Sequence, residues 1–83
     1  PQKVELEISV RGRTVEEALR EVDLWLDRLL RAGISSGRIV HGRGTGTLRK
    51  SIHEHLQRLP FVKGFHLAPP EEGGDGVTIV ELA

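Results

Sequence analysis

The sequence predicts a small two-layer α+β domain of the α/β class, with the element order strand–helix–strand–helix–strand–strand (βαβαββ). Two segments carry apolar residues at helical spacing, and four others have the alternation or β-branched runs of strands. The chain has 83 residues, which is enough for one hydrophobic core. Strands that alternate with helices favour right-handed crossovers, parallel early strands and helices packed on the sheet.

The first strand and first helix have clear local signals. Apolar and polar residues alternate over residues 4–11, and Gly12 ends the strand. Thr14 and Glu17 match a capping box at the start of a helix, and Gly33 occupies the position of its C-terminal cap. The inward face of this helix consists of Ala18, Leu19, Val22, Leu26, Leu29 and Leu30.

The sequence pattern of the second half of the chain predicts three strands and one helix. Residues 38–41 form a short β-branched strand, followed by a glycine-rich loop over residues 42–47. Pro60 ends the second helix, whose inner face carries Leu48, Ile52, Leu56 and Leu59. The third strand covers residues 61–67, and a turn-rich loop over residues 69–76 leads into the last strand at 77–82.

The formal net charge of zero conceals an uneven distribution of 12 basic and 12 acidic residues. Residues 35–66 hold six basic residues and all four histidines against the single acid Glu54, whereas residues 67–83 hold four acids and no base. Such a basic strip is typical of a phosphate-binding surface. The alternative is a basic helix face that only keeps the domain soluble.

Composition excludes several classes of protein. The absence of Cys excludes disulfides and cysteine zinc sites. Apolar runs of only a few residues exclude a membrane span and a signal-peptide core, so we expect no membrane partner and a cytoplasmic location. The chain has no Met and begins at Pro1, so we expect residues 1–83 to be one domain cut from a longer protein.

His41 and the glycine-rich loop after it form the candidate site. His41 ends the second predicted strand, and ligands of parallel sheets bind beyond the carboxyl ends of strands. His41 is also the group there that can exchange a proton near neutral pH. Loop glycines let the backbone approach an anion, and the following helix N-terminus favours negative charge. The expected phosphate-binding residues are Gly42, Arg43, Gly44, Thr45, Gly46, Arg49 and Lys50.

Other nucleotide sites fit this loop less well. The spacing is neither the G-x-G-x-x-G of a dinucleotide fold nor the G-x-x-x-x-G-K-[ST] of a P-loop. A small-nucleotide site is disfavoured because a chain this short has little room for a pocket of several hundred Å³. Binding of a phosphate backbone needs only the residues present. The alternative for His41 is a hydrogen bond inside a tight turn.

The remaining histidines and the tryptophan predict less. His53 and His55 are two residues apart on a helix and cannot chelate a metal together, so we expect both at the surface, with His53 away from the apolar stripe. We expect His66 to be structural and Trp25 to pack at the edge of the core. With two Phe and no Tyr, the sequence gives little support for stacking of single-stranded bases.

Three segments of the chain resemble the small MutS-related (Smr) domain: residues 8–12 (ISVRG), 41–46 (HGRGTG) and 73–82 (GGDGVTIVEL). They most resemble the form at the C-terminus of a bacterial MutS paralogue that suppresses homologous recombination. The resemblance implies a four-stranded mixed sheet with two helices, like the C-terminal domain of translation initiation factor 3. It also implies an endonuclease that nicks DNA with little sequence preference, prefers branched intermediates and is attached to an ATPase dimer.

The resemblance places His41 in the second motif and Arg11 at the end of the first as catalytic candidates. Ser9 stands where the first motif usually has Asp, which weakens a mechanism with a carboxylate metal ligand there. The next carboxylates are Glu72 and Asp75; we take Asp75 as part of a turn and Glu72 as the catalytic candidate. Mg²⁺ or Mn²⁺ is the candidate cofactor, with no metal ligand assigned.

We hypothesise phosphodiester cleavage. Arg11, Arg43 and the amides of residues 44–46 would hold the scissile phosphate, and His41 would act as general base or general acid. The alternative is a non-catalytic module that binds DNA, RNA or the ribosome and targets an attached ATPase. An arginine–phosphate site reads neither base nor sugar, so the choice between DNA and RNA stays open.

Overall fold

The computed structural model describes residues 4–83. It consists of a four-stranded sheet with two helices on one face, as the strand and helix periodicities of the sequence predict. The predicted order βαβαββ is confirmed. The strands are β1 (Glu7–Ser9), β2 (Ser36–Val40), β3 (Val62–Leu67) and β4 (Val77–Leu82). The helices are α1 (Val15–Arg31) and α2 (Thr47–Gln57).

Helix α1 begins at the predicted capping box. The Thr14 hydroxyl accepts a hydrogen bond from the Glu17 N–H at 3.1 Å, and the Glu17 carboxylate accepts one from the Thr14 N–H at 3.0 Å. The hydrogen bond from the Thr14 N–H to the carboxylate, together with the nearby Thr14 hydroxyl, lowers the pKa of Glu17. The helix ends at Arg31 with Ala32 as its C-cap residue, and Gly33 follows with φ +72°. Local signals therefore determine both ends of α1.

The sheet is mixed, with the strand order β1-β2-β4-β3. Strand β1 pairs parallel to β2, and β4 lies antiparallel between β2 and β3. Strands β1, β2 and β3 consequently run in the same direction. Their carboxyl ends meet at one edge of the sheet, which we call the carboxyl edge.

The core lies between the helices and one face of the sheet. The side chain of Trp25, which we expected at the edge of the core, is buried as part of it, and its indole N–H donates to the Glu5 carbonyl at 2.8 Å. A Cβ on Gly37 would lie 2.6 Å from the Trp25 ring, so the glycine lets α1 pack closely on β2. The fully buried side chains are Val10, Val22, Leu26, Leu29, Ile39, Ile52, Leu56, Thr78 and Val80.

The observed elements differ from the prediction mainly at their ends. Strand β1 is shorter than the alternating pattern of residues 4–11. Beyond each of its ends a single hydrogen bond still joins the chain to β2: Arg38 N–H donates to Leu6 O, and Val10 N–H donates to Val40 O. Helix α2 ends at Gln57, before Pro60. The 69–76 loop contains two 3₁₀ turns. Neither helix in residues 4–83 has the length and apolar character needed to cross a bilayer.

Candidate functional site

Two loops and the N-termini of both helices meet at the carboxyl edge and enclose a groove of about 570 Å³. One wall is formed by residues 11–15 and the other by residues 41–49. Within residues 4–83 the lining contains no carboxylate, and its charged side chains are Arg11, Arg13, Arg43 and Arg49. Our expectation that so short a chain lacks room for such a pocket is therefore wrong, because the groove forms between loops rather than inside the core.

The glycine-rich loop is anchored to the end of the β3–β4 connection. The N–H groups of His41 and Gly42 both donate to the Gly76 carbonyl, at 3.1 and 2.9 Å. Gly42 has φ +79° and Gly46 has φ +84°, conformations that cost other residues about 1–2 kcal/mol each. The spacing of glycines in the sequence therefore reflects backbone turns that hold the loop against β4.

The N-terminus of α2 is suited to an anion. Unlike α1, helix α2 has no side-chain hydrogen bond from its N-cap residue and no acidic residue in its first turn, where Arg49 lies instead; its Thr47 N–H reaches the Thr45 hydroxyl only at 3.4 Å. The N–H groups of Arg43, Gly44 and Thr45 make no backbone hydrogen bond within residues 4–83. Uncapped N–H groups and a cation at a helix N-terminus are both stabilised by a bound anion.

The amide of Gly46, which we expected to face a phosphate, is engaged inside the loop. Its N–H donates to the Arg43 carbonyl at 3.0 Å, and this bond closes the turn before α2. The available amides therefore lie earlier in the loop than predicted.

Arg11 and Arg13 line the same wall of the groove but differ in their partners. The side chain of Arg11 lies along the loop, with its Nε 3.5 Å from the position of a Cβ on Gly42, and it forms no ion pair within residues 4–83. Arg13 Nε lies 3.0 Å from the Glu21 carboxylate. Arg11 is therefore the guanidinium with no acid to release before it binds a ligand.

Asp75 does not line the groove, but its carboxylate pairs with two arginines that do. Its oxygens lie 3.2 Å from Arg43 Nε and 3.9 Å from Arg49 Nη1. Asp75, which we took as part of a turn only, therefore neutralises part of the charge of the two arginines where an anionic ligand would bind.

Glu72, the predicted catalytic carboxylate, lies elsewhere. Its side chain accepts from Arg38 Nη1 at 3.0 Å, and its backbone carbonyl accepts from Arg38 Nη2 at 2.6 Å. Side chains alternate along a strand, so Arg38 points to the sheet face away from the helices whereas Ile39 and His41 point toward them. Glu72 is therefore separated from His41 by the sheet. Lys50 is exposed on α2 and does not line the groove.

His41 lies beneath the loop and is 4% exposed. Its Nδ1 is 2.9 Å from the Gly42 carbonyl oxygen and its Nε2 is 2.7 Å from Thr78 Oγ1, so both ring nitrogens are engaged. Burial lowers the pKa of His41; the Gly42 hydrogen bond opposes this effect, and the charge of Arg49 adds to it. The imidazole is therefore neutral near pH 7. His41 both forms the hydrogen bond inside the turn that we gave as its alternative role and lines the groove.

His53 is not the surface residue we expected. Its Nε2 lies 2.7 Å from Thr78 Oγ1, and its ring packs on Phe65 with 4.8 Å between centroids. The packing of α2 on β3 turns this side of the helix toward the sheet. His55 is also engaged, with its Nε2 2.6 Å from an Asp23 carboxylate oxygen that links the two helices.

Sequence reasoning missed the contact between Thr78 and the two histidines. Thr78 is fully buried and shares its face of β4 with Val80 and Leu82. A polar residue in an inward-facing strand position was the available signal, because buried hydroxyls need hydrogen-bond partners. His66, in contrast, is exposed, with its Nδ1 4.0 Å from Glu81.

A second groove of about 480 Å³ lies on the other side of the loop. It shares four residues with the first groove and adds residues from β2, β4 and the turn before β4. The shared residues are Arg11, Gly42, Arg43 and Gly44, and the others are Val40, Gly73, Gly76 and Val77. The loop is therefore accessible from both sides.

The fold and this loop define an Smr domain, and the chain belongs to that family, whose model matches residues 8–83. The chain is 56% identical over 80 residues to Endonuclease MutS2 of Thermomicrobium roseum, which covers 96% of this chain and 10% of that protein. It is 49% identical over 82 residues to Endonuclease MutS2 of Thermus thermophilus, covering 99% of this chain and 11% of that protein. The chain thus spans about a tenth of the length of these relatives.

Two solved structures share the fold. The Smr domain of Thermus thermophilus MutS2 matches with a TM-score of 0.91 and 51% identity, over 93% of this chain and 96% of that one. YdaL of Escherichia coli, a stand-alone small MutS-related protein, matches with a TM-score of 0.88 and 25% identity, over 99% of this chain and 66% of that one. The fold implied by the sequence resemblance is confirmed.

Proposed function

We propose that this domain binds the sugar–phosphate backbone of DNA in the groove between the two loops and hydrolyses a phosphodiester bond, which nicks the strand. The observation that carries this proposal is the lining of the groove, where four arginines and the uncapped N-terminus of α2 meet without a carboxylate. The name Endonuclease, given to relatives 56% and 49% identical, supports the same activity.

The groove supplies the electrostatic part of the reaction. A phosphate at the loop would accept from the amides of Arg43, Gly44 and Thr45, and Arg11 would approach it without first leaving an acid. Donors held in place before the reaction stabilise the charge that develops on the phosphoryl oxygens, and this is a large contribution to catalysis in many enzymes. Arg43 would exchange Asp75 for the phosphate.

The proton-transfer role that we assigned to His41 needs a rearrangement. A general base needs a free nitrogen within reach of the attacking water, and both nitrogens of His41 are bonded to the protein. Because the nitrogen bonded to the Gly42 carbonyl is a donor, only release of Thr78 would free a lone pair, on Nε2. In the geometry described, His41 holds the loop that binds the phosphate.

The same observation favours a second candidate function, a DNA-binding module without catalysis. A groove with no carboxylate and no free imidazole nitrogen binds a backbone without activating water. Such a module would show DNA affinity with a steep salt dependence and no cleavage.

The residues of the groove do not fit a dedicated site for Mg²⁺ or Mn²⁺. These ions prefer carboxylate and carbonyl oxygens. Within residues 4–83 no three His, Asp or Glu side chains lie together as a metal site, and the groove presents guanidinium and N–H groups.

A plasmid assay separates the two functions. Supercoiled plasmid is incubated with the purified domain, with and without EDTA, beside His41→Ala and Arg43→Ala. We expect both variants to lose nicking, with Lys50→Ala and Glu72→Gln as controls that retain it because neither side chain reaches the groove. Full nicking by His41→Ala, in preparations free of contaminating nuclease, would refute its assignment, and binding without cleavage by the unaltered domain would favour the module.

We further propose that the substrate is branched DNA and that an attached ATPase delivers the domain to it, so that nicking suppresses recombination. The second groove supports a strand path longer than one phosphate, because Arg11 and Arg43 line both sides of the loop. The test compares nicking of a four-way junction with that of a linear duplex of the same sequence. Equal rates on the two substrates would refute a preference carried by the domain itself.

A further inference from the structure

We propose that Thr78 and His53 are positioning residues for the groove: they fix His41 in its neutral Nδ1–H tautomer and so hold the Gly42 peptide in the orientation that directs loop amides at a phosphate. The assignment of tautomers follows from hydrogen-bond chemistry alone. The conclusion that this orientation of the Gly42 peptide serves phosphate binding rests on the proposed function.

The Gly42 carbonyl can only accept a hydrogen bond. His41 Nδ1 lies 2.9 Å from that oxygen, so Nδ1 must carry a proton. In a neutral imidazole the other nitrogen, Nε2, then has a lone pair and accepts. The only group within hydrogen-bond distance of Nε2 in residues 4–83 is Thr78 Oγ1 at 2.7 Å, so the Thr78 hydroxyl donates to His41.

The Thr78 hydroxyl also determines which nitrogen of His53 carries the proton. A hydroxyl has one hydrogen, and that of Thr78 is given to His41. The contact of 2.7 Å between Thr78 Oγ1 and His53 Nε2 therefore requires that His53 donate, so its proton lies on Nε2. The two histidines are opposite tautomers, joined through one fully buried hydroxyl.

Burial keeps both rings neutral near pH 7. It lowers the pKa of His41 and of His53, and the positive charge of Arg49 lowers both further. Asp75 acts in the other direction on His41. A charge on both rings would place two N–H donors on Thr78 Oγ1 and leave its own hydrogen without an acceptor in a fully buried position.

The tautomer of His41 matters because the carbonyl and N–H of a trans peptide point in opposite directions. A Gly42 carbonyl turned toward the imidazole directs the Arg43 N–H away from the ring, and this N–H makes no backbone hydrogen bond within residues 4–83. An Nε2–H tautomer would instead face the carbonyl oxygen with a lone pair. The peptide would then rotate and turn the carbonyl, rather than the N–H, outward.

The first test measures protonation directly. Nitrogen-15 NMR of the imidazole rings separates protonated from unprotonated nitrogens, and we expect the proton of His41 on Nδ1 and that of His53 on Nε2. The reverse assignment for His41 would overturn the proposal, whether or not the domain cleaves DNA.

The second test compares three variants. Thr78→Val keeps the shape but removes the hydroxyl, and we expect it to shift the Arg43 and Gly44 amide resonances and to weaken binding of a short DNA duplex roughly tenfold. Thr78→Ser keeps the hydroxyl but loses a buried methyl, so it should lower Tm while its affinity stays near that of the unaltered domain. His53→Gln retains a donor to Oγ1 and should retain the His41 tautomer.

The outcomes separate the two proposals. Affinity and loop resonances unchanged in Thr78→Val would overturn the positioning role, and so would affinities that merely follow Tm across the variants. If the unaltered domain binds no DNA while the tautomers and the loop shifts are as expected, the proposed function fails and the positioning of the loop by Thr78 and His53 stands.

Discussion

Removal of Arg11 tests whether the groove binds a nucleic-acid backbone. In the Arg11→Ala variant the groove loses the guanidinium that has no acid partner within residues 4–83. Arg13→Ala is the matched control, because Arg13 lies two residues away in the same wall but is held 3.0 Å from Glu21. We expect Arg11→Ala to weaken DNA binding more than Arg13→Ala does.

The expected magnitude comes from counterion release. Each phosphate contact on duplex DNA contributes about −0.9 to the slope of log K against log salt, so the loss of one contact should make the slope shallower by about 0.9. Between 50 and 200 mM salt, the unaltered domain should then lose about 3.5-fold more affinity than Arg11→Ala. The pair Arg13–Glu21 already offsets its own charge, so Arg13→Ala should leave the slope nearly unchanged.

The assay is fluorescence anisotropy of a labelled duplex, titrated with the domain at several salt concentrations. Circular dichroism of each variant shows that the fold is retained. Equal slopes for Arg11→Ala and the unaltered domain, or equal losses in the two arginine variants, would refute the assignment of the unpaired guanidinium as a phosphate ligand.

Two further predictions concern stability. Gly37→Ala should lower the free energy of unfolding by about 1–3 kcal/mol in a denaturant titration, because its Cβ would lie 2.6 Å from Trp25. Gly64→Ala, which meets open space, is the control, and equal losses would contradict this packing argument. The lowered pKa values of His41 and His53 mean that below the ordinary value of 6.5 the unfolded chain binds more protons. Stability should therefore fall as pH decreases from 7 to 5, by at most about 1.4 kcal/mol per pH unit for each histidine, and an undiminished slope in His53→Gln would contradict its share.

The sequence predicted the elements well because their signals are local. The capping box at Thr14, the cap at Gly33 and the alternating strands depend on residues a few positions apart. The ends were less accurate, since strand β1 is defined by its pairing with β2 rather than by its own alternation. Helix α2 likewise ends at Gln57, although the apolar spacing continues to Leu59.

The candidate site was predicted in part. Arg11 and the loop after His41 do line one groove, because the carboxyl ends of parallel strands meet at one edge. The choice of Glu72 over Asp75 was not matched by the geometry. Both carboxylates follow β3, and only the conformation of the 3₁₀ turns decides their positions. Asp75 reaches Arg43 of the groove, whereas Glu72 pairs with Arg38 on the other face of the sheet.

The sequence by itself determined the order of the elements and an anion-binding loop before a helix, since glycine spacing and helix dipoles act within a few residues. Only the tertiary structure decided that β4 lies between β2 and β3. That placement brings Thr78 between His41 and His53, residues 37 and 25 positions away along the chain. Hydrogen bonds of this kind depend on strand register and helix packing, which no local pattern specifies.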